Sequence, residues 1–152
     1  MTSAPDIVVR KATAADIGTI YRTDQLCFPP GISFDEDSFF IYLNDPSSIN
    51  LVAELEEEMA GFVILRRYSK SRANLVTIDV TPRLQGCGIG TSLMDEAERM
   101  AKKSGIDMIV LQVAVDNERA MEFYTRRGYA RARRLRNYYQ NGVDAWEMRL
   151  SI

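Results

Sequence analysis

The chain has 152 residues, of which 46% are apolar and 26% are charged, and its formal net charge is −2. This balance is that of an ordinary globular protein, and the near-neutral charge argues against general binding to nucleic acid. The absence of histidine excludes Ser-His-Asp and Cys-His nucleophile systems, and two distant cysteines, Cys27 and Cys87, do not supply a zinc site or a disulfide framework.

The length, and the absence of repeats, low-complexity tracts and linkers, favour one domain over residues 1–152. No apolar run approaches the length of a membrane span, so we expect no membrane association. Residues 1–6 do not resemble a secretory signal, and two isolated cysteines are typical of a reducing compartment. We therefore expect a cytoplasmic protein without a bound metal.

The first half of the chain alternates strand and helix patterns. Apolar residues at helical spacing follow Thr13, which is a possible N-cap, and Phe28-Pro29-Pro30-Gly31 breaks that helix. The acidic residues 56–58 read as the solvated tip of a hairpin. The predicted elements are a strand over 7–12, helices over 14–26 and 35–44, and strands over 49–55, 59–67 and 73–81.

The second half continues the same mixture. Asn141-Gly142 is a strong turn signal, so we expect the last two strands to form a hairpin around it. The mixed order predicts an α/β or α+β domain with helices on both faces of a sheet. The predicted elements are a helix over 91–104, a strand over 107–115, a helix over 117–127, and strands over 129–136 and 143–150.

The strongest functional signal is the segment Gln85-Gly86-Cys87-Gly88-Ile89-Gly90, between a predicted strand and a predicted helix. Alternate glycines leave backbone N–H groups uncovered, and a helix start adds unpaired N–H groups and a partial positive charge. This combination predicts a phosphate or pyrophosphate site. The nucleotide P-loop and the dinucleotide fingerprint both need residues at spacings that this segment lacks.

The spacing Q-x-x-G-x-G, met by Gln85, Gly88 and Gly90, resembles the coenzyme A pyrophosphate loop of the GNAT acetyltransferase superfamily. The resemblance implies acetyl-CoA as the acetyl donor, with no metal. It implies that backbone around Ile78 and Val80 pairs with the pantetheine arm. The residues implied to hold the pyrophosphate through their backbone are Gln85, Gly86, Cys87, Gly88, Ile89, Gly90 and Thr91.

A second motif of the same superfamily follows the predicted strand 107–115. Asn117-Glu118-Arg119-Ala120, followed by Tyr124, resembles its N-x-x-A-x-x-x-Y segment. The resemblance implies that Asn117 bonds the pantetheine arm and that Tyr124 protonates the departing thiolate. In isolation, the same residues read as a helix cap and a packed aromatic.

Two substrate-side segments resemble the protein N-terminal acetyltransferases, above all the ribosomal-protein alanine type. They are Cys27-Phe28-Pro29-Pro30 and Asn137-Tyr138-Tyr139. The resemblance covers nearly the whole chain and implies a single GNAT-like domain whose mixed, mostly antiparallel sheet has about six to seven strands. It implies a protein or peptide N-terminus as acceptor. The residues implied to contact the acceptor are Phe28, Pro29, Gln112, Tyr138 and Tyr139.

The chain departs from that subfamily where a general base is expected. Gln112 stands where the subfamily usually carries a glutamate, and Asn74 matches a base position of other members. Neither amide accepts a proton at neutral pH. Strand alternation places Asp79 on the face opposite Asn74, Ile78 and Val80, so we expect no catalytic use of it.

The absence of a general base affects which kind of amine the site can acetylate. An α-amine has a pKa of about 7.7–8 and a lysine amine about 10.4, so a site without a strong base suits the α-amine better. The predicted function is direct acetyl transfer to the N-terminal α-amine of a protein or peptide. The alternatives are a small-amine acetyltransferase and a catalytically weak module that binds acetyl-CoA and regulates a partner.

Overall fold

The structure, a computed structural model, describes residues 6–152, and their strands form one seven-stranded sheet. The strand order is β1-β2-β3-β4-β5-β7-β6, and only the β4–β5 pair is parallel. This confirms the predicted mixed, mostly antiparallel sheet. The strands are β1 (Ile7–Lys11), β2 (Ser48–Leu55), β3 (Glu58–Arg67), β4 (Arg72–Val80), β5 (Met108–Ala114), β6 (Ala130–Leu135) and β7 (Ala145–Ser151).

Helices cover both faces of the sheet, as predicted. The smaller apolar cluster, around Phe39 and Phe62, packs the first two helices on one face, and the larger cluster, around Leu93 and Leu111, packs the other two. Across residues 6–152, none of the helices has the length and apolar composition needed to cross a membrane. The helices are α1 (Ile17–Cys27), α2 (Glu36–Leu43), α3 (Ile89–Lys103) and α4 (Glu118–Arg126).

Local sequence signals explain most helix boundaries. Thr13 and Asp16 form a capping box around a short 3-10 turn that precedes α1, and Asp35 accepts the Ser38 N–H at the start of α2. The predicted start of α3 at Thr91 is wrong by two residues. The helix begins at Ile89 because Gly88, at φ +86°, takes the left-handed conformation that turns the chain into the helix.

The last two strands form the predicted hairpin, but the loop that connects them is longer than expected. β6 ends at Leu135 and β7 begins at Ala145, so residues 136–144 form a longer loop. Within it the Gly142 N–H donates to the Tyr139 carbonyl at 2.9 Å, which closes a local turn. Asn-Gly therefore marks a bend inside a binding loop rather than the tip of the hairpin.

A bulge in β4 changes which of its side chains share a face. Ile64 pairs with Thr77, whereas its neighbour Leu65 pairs with Leu75, so Val76 is skipped in the register. The alternation therefore reverses at Val76. Our assignment of Asn74 to the face of Ile78 and Val80 was wrong.

After the bulge, Asp79 pairs with Phe62 and faces α1, whereas Ile78 and Val80 pack toward the α3 side. Asn74 lies before the bulge, opposite Arg66, and thus shares the α1-side face with Asp79. The expected separation of Asp79 from Ile78 and Val80 holds. Its separation from Asn74 does not.

The two parallel strands in the middle of the sheet separate along their length. β4 pairs with β5 only from Arg72 to Leu75, opposite Met108 to Leu111. Beyond that point, β4 continues beside β3, and β5 continues beside β7. The separation leaves residues 76–80 with an open edge, where a groove forms.

Candidate active site

A groove of about 1330 Å³ lies between the separated ends of β4 and β5. It brings together parts of the chain far apart in sequence: the loop after α1, the second half of β4, the glycine segment, the end of β5, α4 and the β6–β7 loop. The predicted site residues that border it are Phe28, Pro29, Ile78, Val80, Gln85, Gly86, Gly88, Gly90, Thr91, Gln112, Asn117, Tyr124, Tyr138 and Tyr139.

The glycine segment presents a row of unpaired backbone donors at one end of the groove. Within the described part of the chain, no N–H group of residues 86–91 donates to a protein acceptor; the first to do so is Ser92, which bonds the Gly88 carbonyl at 3.0 Å. Six such donors beside the N-terminus of a 15-residue helix form a cradle for an anion.

The glycines also leave the space that such an anion needs. Gly86 and Gly88 both have positive φ, and a Cβ built on Gly88 meets no atom within 4 Å. Two predicted residues of this segment do not border the groove with their side chains: Cys87 points into solvent, and Ile89 is buried in the core. Only their backbone N–H groups belong to the cradle.

The open edge of β4 offers its backbone to an extended ligand. The Thr81 N–H bonds the Ala60 carbonyl of β3 at 2.8 Å, so the Val80 carbonyl, on the other side of the same peptide plane, points to the groove. Because backbone groups point to opposite sides at successive residues of a strand, the N–H and C=O of Ile78 point to the groove as well. Gln85 Nε2 and Cys27 Sγ donate to the Val80 carbonyl at 3.1 and 3.3 Å, so Gln85 fastens the glycine segment to this strand.

Asn117 and Tyr124 project from α4 toward the same edge. Asn117 caps the helix, since its Oδ1 accepts the Ala120 N–H at 3.2 Å, and its Nδ2 has no acceptor among residues 6–152. Tyr124 is 8% exposed and borders the groove, and its hydroxyl has no hydrogen-bond partner in the same range. Burial, and then the nearby Asp79 carboxyl, raise the pKa of Tyr124.

Aromatic side chains line the end of the groove away from the glycine segment. Tyr138 and Tyr139 meet edge to face with centroids 4.9 Å apart, and Phe28 and Pro29 stand on the loop after α1. The two loops touch, because the Gln140 N–H donates to the Gly31 carbonyl at 3.3 Å. This end forms a partly apolar opening beside the exposed edge of β4.

The two amides at expected base positions lie in different places. Gln112 borders the groove, directly opposite Glu147 of the neighbouring strand β7. Asn74 lies where β4 and β5 are still paired, outside the groove. Burial opposes ionisation of Glu147, but Arg133 and Arg149, at 3.2 and 3.0 Å, lower its pKa overall.

The sequence interpretation missed several groove residues. Arg119 borders the groove, and its Nη2 lies 4.0 Å from the position that a Cβ on Gly86 would occupy. Arg119 is the second residue of α4, two positions after Asn117, and this closeness to the motif was the available signal. Asp24, Thr77 and Asp79 form a buried polar group beside the groove, and the packing of α1 on β4 that brings them together has no local sequence signal.

The geometry fits an extended, anionic thioester donor. The glycine cradle and Arg119 suit a pyrophosphate, the edge of β4 and Asn117 suit an amide-containing arm, and Tyr124 borders the same groove. The groove therefore brings the donor-rich glycine segment and the aromatic loops into one cavity.

Comparison with known proteins gives consistent results. Residues 17–129 match the family model "Acetyltransferase (GNAT) family". N-alpha-acetyltransferase 30 of Schizosaccharomyces pombe is 36% identical over 101 residues, covering 64% of this chain and 67% of that protein. An N-alpha-acetyltransferase of Sulfurisphaera tokodaii is 26% identical over 153 residues, covering 92% and 90%. The crystal structure of the ribosomal-protein-S18-alanine N-acetyltransferase from Escherichia coli superposes with a TM-score of 0.86 at 25% identity, covering 97% and 94%.

Proposed function

Because this chain belongs to the GNAT acetyltransferase family, we propose that it transfers the acetyl group of acetyl-CoA to the N-terminal α-amine of a protein or peptide. The family assignment makes the chain an acetyltransferase and acetyl-CoA its donor. The choice of a peptide α-amine is supported by the names of its relatives, two of which are N-alpha-acetyltransferases.

The observation that carries the proposal is the two-ended groove. One end offers unpaired N–H groups for phosphate, and the other is bordered by Phe28, Pro29, Tyr138 and Tyr139. A peptide entering from the aromatic end brings its amine to the open edge of β4, where the donor arm ends. Such an entrance suits an unhindered chain terminus, because a terminus can enter end-on.

The chemistry needs no covalent enzyme intermediate. The neutral amine attacks the thioester carbonyl directly, and the C–S bond breaks as the new C–N bond forms. Tyr124 places a proton on the departing sulfur, since its hydroxyl is free and lies at the groove wall. Cys27 does not act as a nucleophile: its thiol bonds the Val80 carbonyl, and burial together with Asp79 and Asp24 raises its pKa to about 12.

The experiment follows thiol release with acetyl-CoA and three acceptors. These are a peptide with a free α-amine and no lysine, the same peptide with a blocked N-terminus and one lysine, and a free polyamine. Turnover on the first acceptor alone supports the proposal. Preference for the polyamine identifies a small-amine acetyltransferase, and tight binding of acetyl-CoA without turnover on any acceptor identifies a regulatory module.

We propose further that residues 1–152 act as one N-acetyltransferase domain in the cytoplasm. The seven strands of residues 6–152 form one sheet, and both apolar clusters pack against it. A reducing setting agrees with Cys27 and Cys87 being unpaired thiols. Expression of a tagged chain with fluorescence imaging tests its location.

A further inference from the structure

A pair of buried carboxyl groups lies between α1 and β4, beside the groove. Asp24 is 0% exposed and Asp79 is 1% exposed. Asp24 Oδ2 accepts the Phe34 N–H at 2.7 Å, and Asp79 Oδ1 accepts the Thr77 hydroxyl at 2.5 Å. The other two oxygens, Asp24 Oδ1 and Asp79 Oδ2, have no donor among residues 6–152.

The two carboxyl groups lie side by side, close enough to hydrogen-bond to each other. Such a bond requires a proton on one of them, because an ionised carboxylate only accepts. One shared proton would satisfy both unpaired oxygens and leave the pair with a single negative charge. Two adjacent ionised carboxylates, buried without a cation, would repel each other strongly and destabilise the fold.

The surroundings of the pair offer no counter-charge. The titratable side chains that face it are Cys27 at the end of α1 and Tyr124 on α4, and both are neutral near pH 7 because their pKa values are raised. Burial raises the pKa of Asp79 well above its ordinary value and that of Asp24 above its own. The fold therefore keeps an exchangeable proton and one negative charge at this point.

We propose that Asp24 and Asp79 share one proton and that this pair accepts the proton released by the attacking amine, through the hydroxyl of Thr77. Thr77 and Asp79 both border the groove. The Thr77 oxygen accepts a proton from nitrogen as its own proton moves to Asp79 Oδ1, and the shared proton moves from Asp79 Oδ2 to Asp24 Oδ1. Thr77 is thus the group in contact with the substrate, and Asp24 takes up the shared proton. This inference rests on the proposed acetyl transfer to an amine.

The proton balance closes over the reaction. Nitrogen loses one proton to the pair as the C–N bond is completed, and sulfur gains one from Tyr124 as the C–S bond breaks. The pair then holds two protons, and one of them restores the Tyr124 hydroxyl directly or through solvent. Of the carboxyl groups bordering the groove, Asp79 is the buried one, whereas Asp116 and Glu122 are exposed near α4. The pair thereby supplies the base that Gln112 cannot.

The test compares the wild type with Asp79→Asn and Asp24→Asn, and with Asp45→Asn as a matched surface control. Infrared spectroscopy near pH 7 should show a protonated-carboxyl band in the wild type and the control, its loss in Asp79→Asn, and a shift of its frequency in Asp24→Asn, which removes the partner of the shared proton. Absence of that band from the wild type overturns the shared proton. This measurement does not depend on turnover, so it stands even if the proposed function fails.

Kinetics test the catalytic part. For an α-amine peptide near pH 7, kcat/KM of Asp79→Asn should fall roughly 10²–10³-fold, with calorimetric affinity for acetyl-CoA changed less than about twofold. Its residual activity should rise with pH until the amine is neutral, near pH ~8, whereas the wild type should reach its plateau at lower pH. A folded Asp79→Asn with the wild-type profile overturns the proposal. A wild type inactive on every peptide overturns the proposed function instead.

Discussion

The rings of Tyr124 and Tyr129 meet edge to face, with centroids 5.7 Å apart. Both are buried, but only Tyr124 borders the groove, whereas the Tyr129 hydroxyl donates to Glu98 at 3.1 Å. The two tyrosines therefore pack in the same environment, but the Tyr129 hydroxyl is bonded to Glu98, whereas Tyr124 borders the groove. This difference makes Tyr129 a natural control for the proposed acid.

Removing the Tyr124 hydroxyl should slow chemistry without weakening donor binding. We expect Tyr124→Phe to lower kcat roughly 10²–10⁴-fold, because sulfur would leave without a positioned proton. Stopped-flow or single-turnover kinetics should place the loss in the chemical step. Tyr129→Phe should keep kcat within a few-fold, and equal losses in the two variants would mean that Tyr124 acts only through packing.

A side chain at Gly88 should block the donor. Valine there fills open space in the anion cradle and adopts an unfavourable φ, so we expect acetyl-CoA affinity to fall more than about tenfold by calorimetry. Gly105→Val is the matched control, since Gly105 also has positive φ and open space but lies at the end of α3. Both variants should lose stability, by about 1–3 kcal/mol. Unchanged affinity in a folded Gly88→Val would refute the cradle.

Arg119 should contribute to donor binding through charge. Its exposed guanidinium stands beside Gly86 and forms no ion pair among residues 6–152. We expect Arg119→Ala to weaken acetyl-CoA binding about tenfold, which is a typical loss for one charge-assisted hydrogen bond. The difference in affinity from the wild type should shrink as the salt concentration rises. Arg99→Ala, in the second half of α3 and outside the groove, should leave both the affinity and its salt dependence unchanged.

Local sequence signals predicted the elements well because most boundaries depend on neighbouring residues. Thr13, Asp35 and Asn117 all lie at helix starts, and the glycine segment turns into a helix. The errors arose where pairing between strands that are distant in sequence sets the local structure. The skipped residue Val76 follows from the pairing of β3 with β4, which no local pattern in β4 reveals.

The same limit applied to the site. Residues held by a motif, such as Asn117 and Tyr124, were located from spacing and resemblance, and the groove brings them together. The partnership of Asp24 with Asp79 joins two residues 55 positions apart on different elements, so it becomes visible only once α1 packs on β4. Strict alternation placed Asp79 correctly on the face opposite Ile78 and Val80, but it could not show that Asp24 lies against that face.

The buried pair should make folding stability depend on pH in an unusual direction. A carboxyl whose pKa is raised on folding favours the fold below its unfolded pKa of about 3.9, and that contribution is lost as pH rises through the folded pKa. The free energy of unfolding, measured with urea, should therefore be compared between the wild type and Asp79→Asn. The wild-type value minus the variant value should decline from about pH 4 upward. Asp45→Asn should show the opposite trend, because Arg66 lowers the pKa of Asp45. A difference that does not vary with pH would mean that the pair is not titrating.

The last prediction concerns Gln112 and its neighbour on β7. Gln112 lies directly opposite Glu147, which is 6% exposed and already held by Arg133 and Arg149. A glutamate at position 112 would set two carboxyl groups side by side on a partly buried face, and like charges in that position destabilise a sheet. We expect Gln112→Glu to lower the unfolding midpoint increasingly as pH rises above about 5, and not to raise kcat/KM. The double variant Gln112→Glu/Glu147→Gln restores a single carboxyl and should recover the midpoint. Thermal unfolding across pH checks both variants, and a fully stable single variant would show that Glu147 does not restrict position 112.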